Sequence, residues 1–453
     1  MDKTPFNRLL IANRGEIAIR IARAAFELGI YTIGIYSYED RFSLHRYKTD
    51  ESYQVGTKGG PLKAYLDVEA IISLAKKMKI DAIHPGYGFL SENAKFARRC
   101  EEENITFIGP PAQVLELFGD KVSARNVAQE AGLRIIPGTL NPVEDLDEAK
   151  RLAKEISYPL TLKAVSGGGG KGIRMISDEK ELEQAFSRAQ SEALANFGVN
   201  QVYLEKTIVK PKHIEVQILA DNFGNVVHLF ERDCSIQRRN QKVVEVAPAL
   251  GVSTKTCESL YEQAVKCAKH VNYQGLGTVE FLVDQNEDTY FLEVNPRIQV
   301  EHTVTEVITG VDLMQASILL AANMPMSCNL IGIENQESIE KKGAAIQCRI
   351  TTEDPLNSFA PDTGSIMAYR PAAGFGIRLD EGHGTTGGEV TPHFDSLLVK
   401  VTAFSPSLPA AARKMFRSLS EFRIRGVKHN IRLLKNIMKN SDFLASKIGR
   451  AHV

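Results

Sequence analysis

The chain has few cysteines and no pattern among them: Cys100, Cys234, Cys257, Cys267, Cys328 and Cys348 form no CxxC pair and no zinc-ligand spacing. That argues against a zinc module or a disulfide scaffold, and the thiols read as reduced and mostly structural. Net charge is also missing, because 55 Lys plus Arg balance 55 Asp plus Glu. No basic field therefore marks a nucleic-acid surface, and no excess of charge draws the chain to an anionic membrane. No apolar run is long enough to span a bilayer, and Met1-Asp-Lys-Thr-Pro5 lacks a signal-peptide core, so a cytoplasmic location is the default expectation. Asn13-Arg-Gly15 is not a GxGxxG turn, which leaves a Rossmann dinucleotide site without support.

What is present is length, 453 residues with 43% hydrophobic content, enough for about three compact units. The expected class is multidomain α/β and α+β. Residues 1–110 open with the apolar run Leu9-Leu-Ile-Ala12, a helix with Ile17, Ile21, Ala24, Ala25 and Leu28 on one stripe, and a strand over 31–36. That is a β-α-β unit, which implies a parallel sheet with a right-handed crossover. A helix over 67–79 and a strand over 80–83 extend it. A helical connector over 111–136 carries Lys121. A small mixed unit over 137–207 reads as helix 146–156, strand 160–165, a glycine loop, strand 173–176, helix 178–194 and strand 201–206. Residues 208–335 and 336–447 follow as a core and a C-terminal unit.

Two runs in the core carry chemistry. Thr278-Val-Glu-Phe-Leu-Val-Asp284 and Thr289-Tyr-Phe-Leu-Glu-Val-Asn295 read as one hairpin, and pairing Asp284 with Thr289 puts Glu280 opposite Glu293. Facing carboxylates repel, and a hard cation between them turns the repulsion into a site. Glu280, Glu293 and Asn295 are the candidate metal ligands; the alternative is a solvated strand face. Directly beyond them, Arg297, Gln299 and Glu301 supply a planar cationic fork, an amide and a carboxylate, a combination suited to holding a small oxyanion and removing its proton. Upstream, Gly167, Gly168, Gly169 and Gly170 lie between two strands, with Lys163 before them and Lys121 earlier in the chain. Free glycine amides and two ammonium groups suit a polyphosphate, although a flexible surface hairpin has the same look. Strands on both sides exclude a Walker A loop. His213-Ile-Glu-Val-Gln-Ile218 puts His213, Glu215 and Gln217 on one polar face, expected to look into a cleft. Lys242, within Arg238-Arg-Asn-Gln-Lys-Val-Val-Glu245, has spacing that fits a charged, solvated segment equally well.

The run Glu293-Val-Asn-Pro-Arg-Ile-Gln-Val-Glu-His302 resembles the biotin carboxylase signature of the ATP-grasp superfamily. Further resemblance lies in Leu10-Ile-Ala-Asn-Arg-Gly-Glu-Ile-Ala-Ile-Arg20, His84-Pro-Gly-Tyr-Gly-Phe-Leu-Ser-Glu-Asn93, Gly119-Asp-Lys121, Lys163 to Gly172, Glu231-Arg-Asp-Cys-Ser235 and Gln241-Lys-Val-Val244. Tyr369 to Gly382 is most similar to the pyruvate carboxylase branch. The resemblance implies a pre-ATP-grasp domain, an ATP-grasp lid and core, and a biotin carboxylase C-terminal domain. It implies ATP with Mg²⁺, or alternatively Mn²⁺, and biotin as substrate, carried on a domain of the same longer chain or on a separate subunit. It also implies bicarbonate as substrate and a homo-oligomer, expected to be a dimer. By the same resemblance Glu205 accepts from the adenine amine, Lys206 supplies a backbone contact and His213 approaches the nucleotide. Arg297, Gln299 and the Val300 amide hold bicarbonate, Glu301 is the base, Lys242 faces the carboxyphosphate intermediate and Arg349 stabilises the biotin enolate.

Two other readings stay open: another ATP-grasp ligase, and a degenerate ATP-binding module kept for assembly. His393-Phe-Asp-Ser396 departs from the tyrosines often found there in relatives, which touches the detail of biotin access. Ile448-Gly-Arg-Ala-His-Val453 matches no family pattern and reads like a translated sequencing adapter. The expectation is that native sequence stops near Lys447, that the tail joins no packed element and that the record is a truncated fragment; a naturally short subunit is the alternative.

Overall fold

The computed structural model describes residues 6–56, 60–139, 141–143, 145–164, 173–197, 200–449 and 451–452. The N-terminal unit is a five-stranded parallel sheet in the order Glu51–Gln54, Tyr31–Tyr36, Arg8–Ile11, Ala82–His84, Thr106–Phe107. Helix Gly15–Glu27 buries Ile17, Ile21, Ala24 and Ala25, the expected stripe. The first strand is central, so the turn after it opens where the strand order reverses, a usual place for a cleft in such sheets. Asn13 fixes that turn by donating from Nδ2 to the carbonyls of Pro85 (2.6 Å) and Tyr87 (2.8 Å).

The connector is two helices, Ala112–Gly119 and Lys121–Glu130, broken at Asp120. The Asp120 side chain accepts from the Ser123 amide at 2.8 Å and starts the second helix at Lys121. The lid packs helices Leu146–Ile156 and Glu179–Phe197 against a three-stranded antiparallel sheet, ordered Ile173–Ile176, Leu160–Ala164, Val202–Lys206. Leu160, Leu162, Ile176, Leu182, Phe186 and Leu204 give it a core of its own. The four glycines of the loop lie outside the described residues.

Residues 208–335 and 336–447 share one sheet. Its order is Thr289–Asn295, Gly275–Val283, Lys212–Ala220, Val226–Arg238, Gln241–Ala247, Ala344–Thr351, Leu397–Ser405, Ile377–Glu381. This continuity carries Arg349, on the sixth of these strands, to the residues that follow the first.

The hairpin register differs from expectation at its loop end. Val283, not Asp284, pairs with Thr289, and the Asp284 amide instead donates to the Asp288 carbonyl at 3.0 Å. A bulge between Phe281 and Glu280 leaves Leu292 unmatched, and this extra residue restores Glu280 opposite Glu293. The tail also differs: Ile448 packs against the C-terminal core, and Ala451–His452 pairs in parallel with Ile236 and Gln237. Those two residues lie beyond the end of the pairing with strand Lys212–Ala220, so their edge is open to another strand. Among the described residues no single helix is long and apolar enough to cross a membrane, and all six cysteines are free, five of them buried.

Candidate active site

A cleft of about 1780 Å³ runs between the three units, and every described residue of the expected site lines it: Lys121, Lys163, Glu205, Lys206, His213, Lys242, Glu280, Glu293, Asn295, Arg297, Gln299, Val300, Glu301 and Arg349.

Its floor is a buried network of alternating charge. Strand Lys212–Ala220 lies between Gly275–Val283 and Val226–Arg238, and Glu215 pairs across it with Glu280 on one side and Arg232 on the other. Glu215 and Gln217 are fully buried, so the polar face does not look into open space as expected; only its His213 end reaches the cleft. What satisfies that face is Arg232, itself fully buried. Its Nε donates to Glu215 (2.6 Å), Nη1 to Gln217 (2.8 Å) and Thr305 (2.9 Å), and Nη2 to Thr278 (3.2 Å) and Gln299 (2.6 Å). All the N–H groups of the guanidinium are used, which lets a charge survive out of water.

Lys242 is largely enclosed as well, its side chain 13% exposed, and is not part of a solvated segment. The turn at Arg239 and Asn240, both at positive φ, reverses the chain and returns Lys242 over the floor. Its ammonium donates to Glu215 at 2.5 Å, Glu301 at 2.6 Å and Glu280 at 2.8 Å. Burial alone would lower its pKa, but the three carboxylates hold it well above the usual lysine value. Glu301 also accepts from Arg349 Nη2 at 3.0 Å, while Arg349 Nε donates to Glu245 at 2.6 Å. Burial opposes ionisation of Glu301, yet Lys242, Arg349 and Arg232 hold its carboxyl well below the usual range.

At the hairpin, repulsion is not the whole account. Glu280 accepts from Lys242, from Asn295 Nδ2 (2.9 Å) and from Gln299 Nε2 (2.8 Å), and its other oxygen lies 2.6 Å from His213 Nε2. Gln237 Nε2 is 3.0 Å from His213 Nδ1. Against burial, Lys242 and His213 hold the Glu280 carboxyl well below its usual range. Glu293, which faces the cleft, goes the other way: desolvation and the charge of Glu280 raise it. That end of the hairpin therefore has a shortfall of positive charge, and carboxylate oxygens in a cleft are the donors a hard divalent cation takes, so the residues fit Mg²⁺. Asn295 Oδ1 accepts from Arg297 Nη2 at 2.9 Å, and Arg297 Nε donates to Glu92 of the N-terminal unit at 2.7 Å.

At the lid end, Glu205 receives Arg125 Nη1 at 2.7 Å and pairs with Lys163. The Lys206 side chain turns away to the carbonyls of Ser157 (3.0 Å) and Tyr158 (2.9 Å), and its amide is taken by the Pro137 carbonyl at 2.7 Å. Lys121 is pushed below the usual lysine value by burial, partly offset by Glu293. His383, which had no functional context in the sequence, lines the cleft with its Nε2 2.6 Å from Arg14 Nη2. Sequence reasoning missed Arg232, Glu245, Arg125 and Glu92 as partners. The polar face of strand Lys212–Ala220 called for a buried cation, but nothing local in the sequence named Arg232 as that cation.

Residues 5–115 match the family Biotin carboxylase, N-terminal domain, residues 120–329 match Carbamoyl-phosphate synthase L chain, ATP binding domain, and residues 347–452 match Biotin carboxylase C-terminal domain. Pyruvate carboxylase of Staphylococcus aureus is 56% identical over 96% of this chain and 38% of the relative, and that of Bacillus subtilis is 54% identical over 99% and 39%. The chain thus spans about two fifths of the length of these curated relatives. The biotin carboxylase domain of Hydrogenobacter thermophilus 2-oxoglutarate carboxylase, solved as a dimer with MgADP, ADP and bicarbonate, superposes with a TM-score of 0.94 at 47% identity, covering 98% of this chain and 96% of that one. Biotin carboxylase from Campylobacter jejuni gives 0.93 at 42% identity, covering 98% of each. With solved biotin carboxylases 42% and 47% identical to it, of which it covers 98% and 96%, the chain belongs to the biotin carboxylase family.

Proposed function

We propose that this chain carboxylates biotin at the expense of ATP and bicarbonate, as the biotin carboxylase part of a larger pyruvate carboxylase-like or acyl-CoA carboxylase enzyme. The observation that carries the reading is the convergence of Lys242 and Arg349 on Glu301 at the floor of a cleft whose other end holds Lys163, Glu205 and the acidic hairpin. Lys121 and Lys163 neutralise ATP phosphates, and Glu205, held by Arg125, accepts from the adenine amine. Lys163 leaves Glu205 for the phosphates, which frees a carboxylate oxygen for the base. Glu280, Glu293 and Asn295 hold Mg²⁺, which when bound supplies positive charge to the transferring phosphoryl group.

Bicarbonate sits on Arg297, Gln299 and the Val300 amide. Glu301 is ionised before it arrives, but Lys242, Arg349 and Arg232 make it a weak base. As Lys242 and Arg349 turn their donors towards the incoming anion, Glu301 gains basicity where a proton must be removed. The deprotonated bicarbonate oxygen attacks the γ-phosphorus, the bond to the β,γ-bridging oxygen breaks and ADP leaves, giving carboxyphosphate, which splits to carbon dioxide and phosphate beside Lys242. Phosphate takes the ureido proton of biotin, Arg349 pairs with the enolate oxygen, and N1 attacks carbon dioxide. The natural acceptor is biotin on a carrier domain, the active form is a homodimer, and the location is cytoplasmic. Incubation with MgATP, labelled bicarbonate and free biotin should place acid-labile label on biotin. ATP cleavage that ignores bicarbonate, with no label on biotin, would refute the reading.

A further inference from the structure

The segment that carries the oxyanion residues is anchored from behind by two buried basic side chains. Lys400, on strand Leu397–Ser405, is fully buried and sits in register beside Arg349 on one neighbouring strand and Asp380 on the other. Its Nζ lies 2.9 Å from Glu16 Oε1 and donates to the Val300 carbonyl at 3.1 Å. Tyr87 donates to the same Glu16 oxygen at 2.5 Å. Glu16 and Tyr87 belong to the N-terminal unit and both line the cleft, so Lys400 joins that unit to the loop. One residue earlier, His302 Nδ1 lies 2.7 Å from the Gln299 carbonyl. A carbonyl only accepts, so this contact places the proton on Nδ1.

A trans peptide points its C=O and N–H in opposite directions. Holding the Gln299 carbonyl fixes the Val300 amide, and holding the Val300 carbonyl fixes the Glu301 amide, each aimed away from the basic group behind it. Neither amide has a backbone acceptor among the described residues. They lie at the start of helix His302–Thr309, where the backbone favours an anion.

We propose that Lys400 is a positioning residue for the anion pocket: seated by Glu16 and Tyr87, it holds the Val300 carbonyl and so aims the Glu301 amide at an oxygen of bicarbonate, beside the Val300 amide. This extends the pocket by one donor and makes its geometry depend on the seating of the N-terminal unit. It rests on the biotin carboxylase reading.

The test compares a donor with no donor at constant charge. Glu16→Gln/Lys400→Met removes both buried charges and the donor, whereas Glu16→Gln/Lys400→Gln keeps an amide donor for the Val300 carbonyl. Bicarbonate-dependent ATP cleavage should show KM for bicarbonate up roughly tenfold in the Met pair, about the value of one hydrogen bond. KM for MgATP should change by less than about twofold, and the Gln pair should recover most of the bicarbonate KM. Equal bicarbonate KM in the two pairs overturns the proposal. Tyr87→Phe covers the case in which the Met pair does not fold: it loosens Glu16 only, and should raise the bicarbonate KM by about threefold, whereas an unchanged value again overturns the proposal. A wild-type chain whose ATP cleavage ignores bicarbonate would instead sink the functional reading on which this one rests.

Discussion

Lys242 holds together a site that would otherwise repel itself. Three carboxylates from three strands or loops meet at one ammonium, and removing any one leaves two partners in place. Glu280→Gln should therefore leave the melting temperature within a few degrees while lowering turnover on the order of a thousandfold, the scale of several kcal/mol of lost metal-assisted stabilisation. Near-normal turnover at limiting Mg²⁺ would contradict the metal assignment. That Glu280, Glu293, Asn295, Arg297, Gln299 and Glu301 belong together was legible in sequence, because they lie within 22 positions in short alternating runs, and the structure lines one cleft with all six. Arg232 and Lys400 were not: Arg232 gathers partners that lie from 15 residues away, at Gln217, to 73 away, at Thr305, and Lys400 holds the Val300 carbonyl 100 residues away. No local period encodes such a pairing.

At the scale of elements, periodicity located the lid well: helix Leu146–Ile156 and strand Ile173–Ile176 have the expected bounds. The hairpin loop was misread by one residue because a bulge leaves no mark in the alternation of either strand alone. The break between the connector helices is hidden for a different reason: Asp120 sits inside the family-like run Gly119-Asp-Lys121, and its capping of the second helix shows only once its side chain meets the Ser123 amide. That cap matters, because it places Lys121 at the first position of a helix facing Glu293. Asp120→Ala should cost about 1 kcal/mol of stability, the usual value of an N-cap, and raise KM for ATP with little change in KM for bicarbonate. An unaltered ATP KM would show that the helix start does not position Lys121.

For the whole molecule, the units are joined by buried charge as well as by apolar contact. Arg20 reaches Glu306 (3.0 Å) and Asp312 (2.6 Å), and Arg378 reaches Glu306 at 2.5 Å, so helix Gly15–Glu27 and strand Ile377–Glu381 meet at one carboxylate. Buried histidines make the assembly sensitive to acid. Burial holds His45 down at about 4, and His84 and His302 at about 3, with Arg20 adding to the effect on His84 and Lys400 to that on His302. An unfolded histidine titrates near ~6.5, so below that pH the unfolded chain binds protons the native one refuses. Their contribution is complete above about pH 6.5 and is lost as pH falls towards the folded values. The urea midpoint should fall steadily from about pH 7 to about pH 5, and His84→Gln should flatten the slope. A midpoint flat across that window would contradict the buried neutral rings.

The most direct test of the central claim separates the two half-reactions in one assay: ATP cleavage with Mg²⁺, with and without bicarbonate and free biotin, in the wild-type chain, Glu301→Gln and Arg349→Ala. The account predicts bicarbonate-dependent cleavage in the wild type, loss of both cleavage and carboxybiotin in Glu301→Gln, and retained bicarbonate-dependent cleavage without carboxybiotin in Arg349→Ala. Wild-type cleavage indifferent to bicarbonate, or normal carboxybiotin formation by Arg349→Ala, would contradict it.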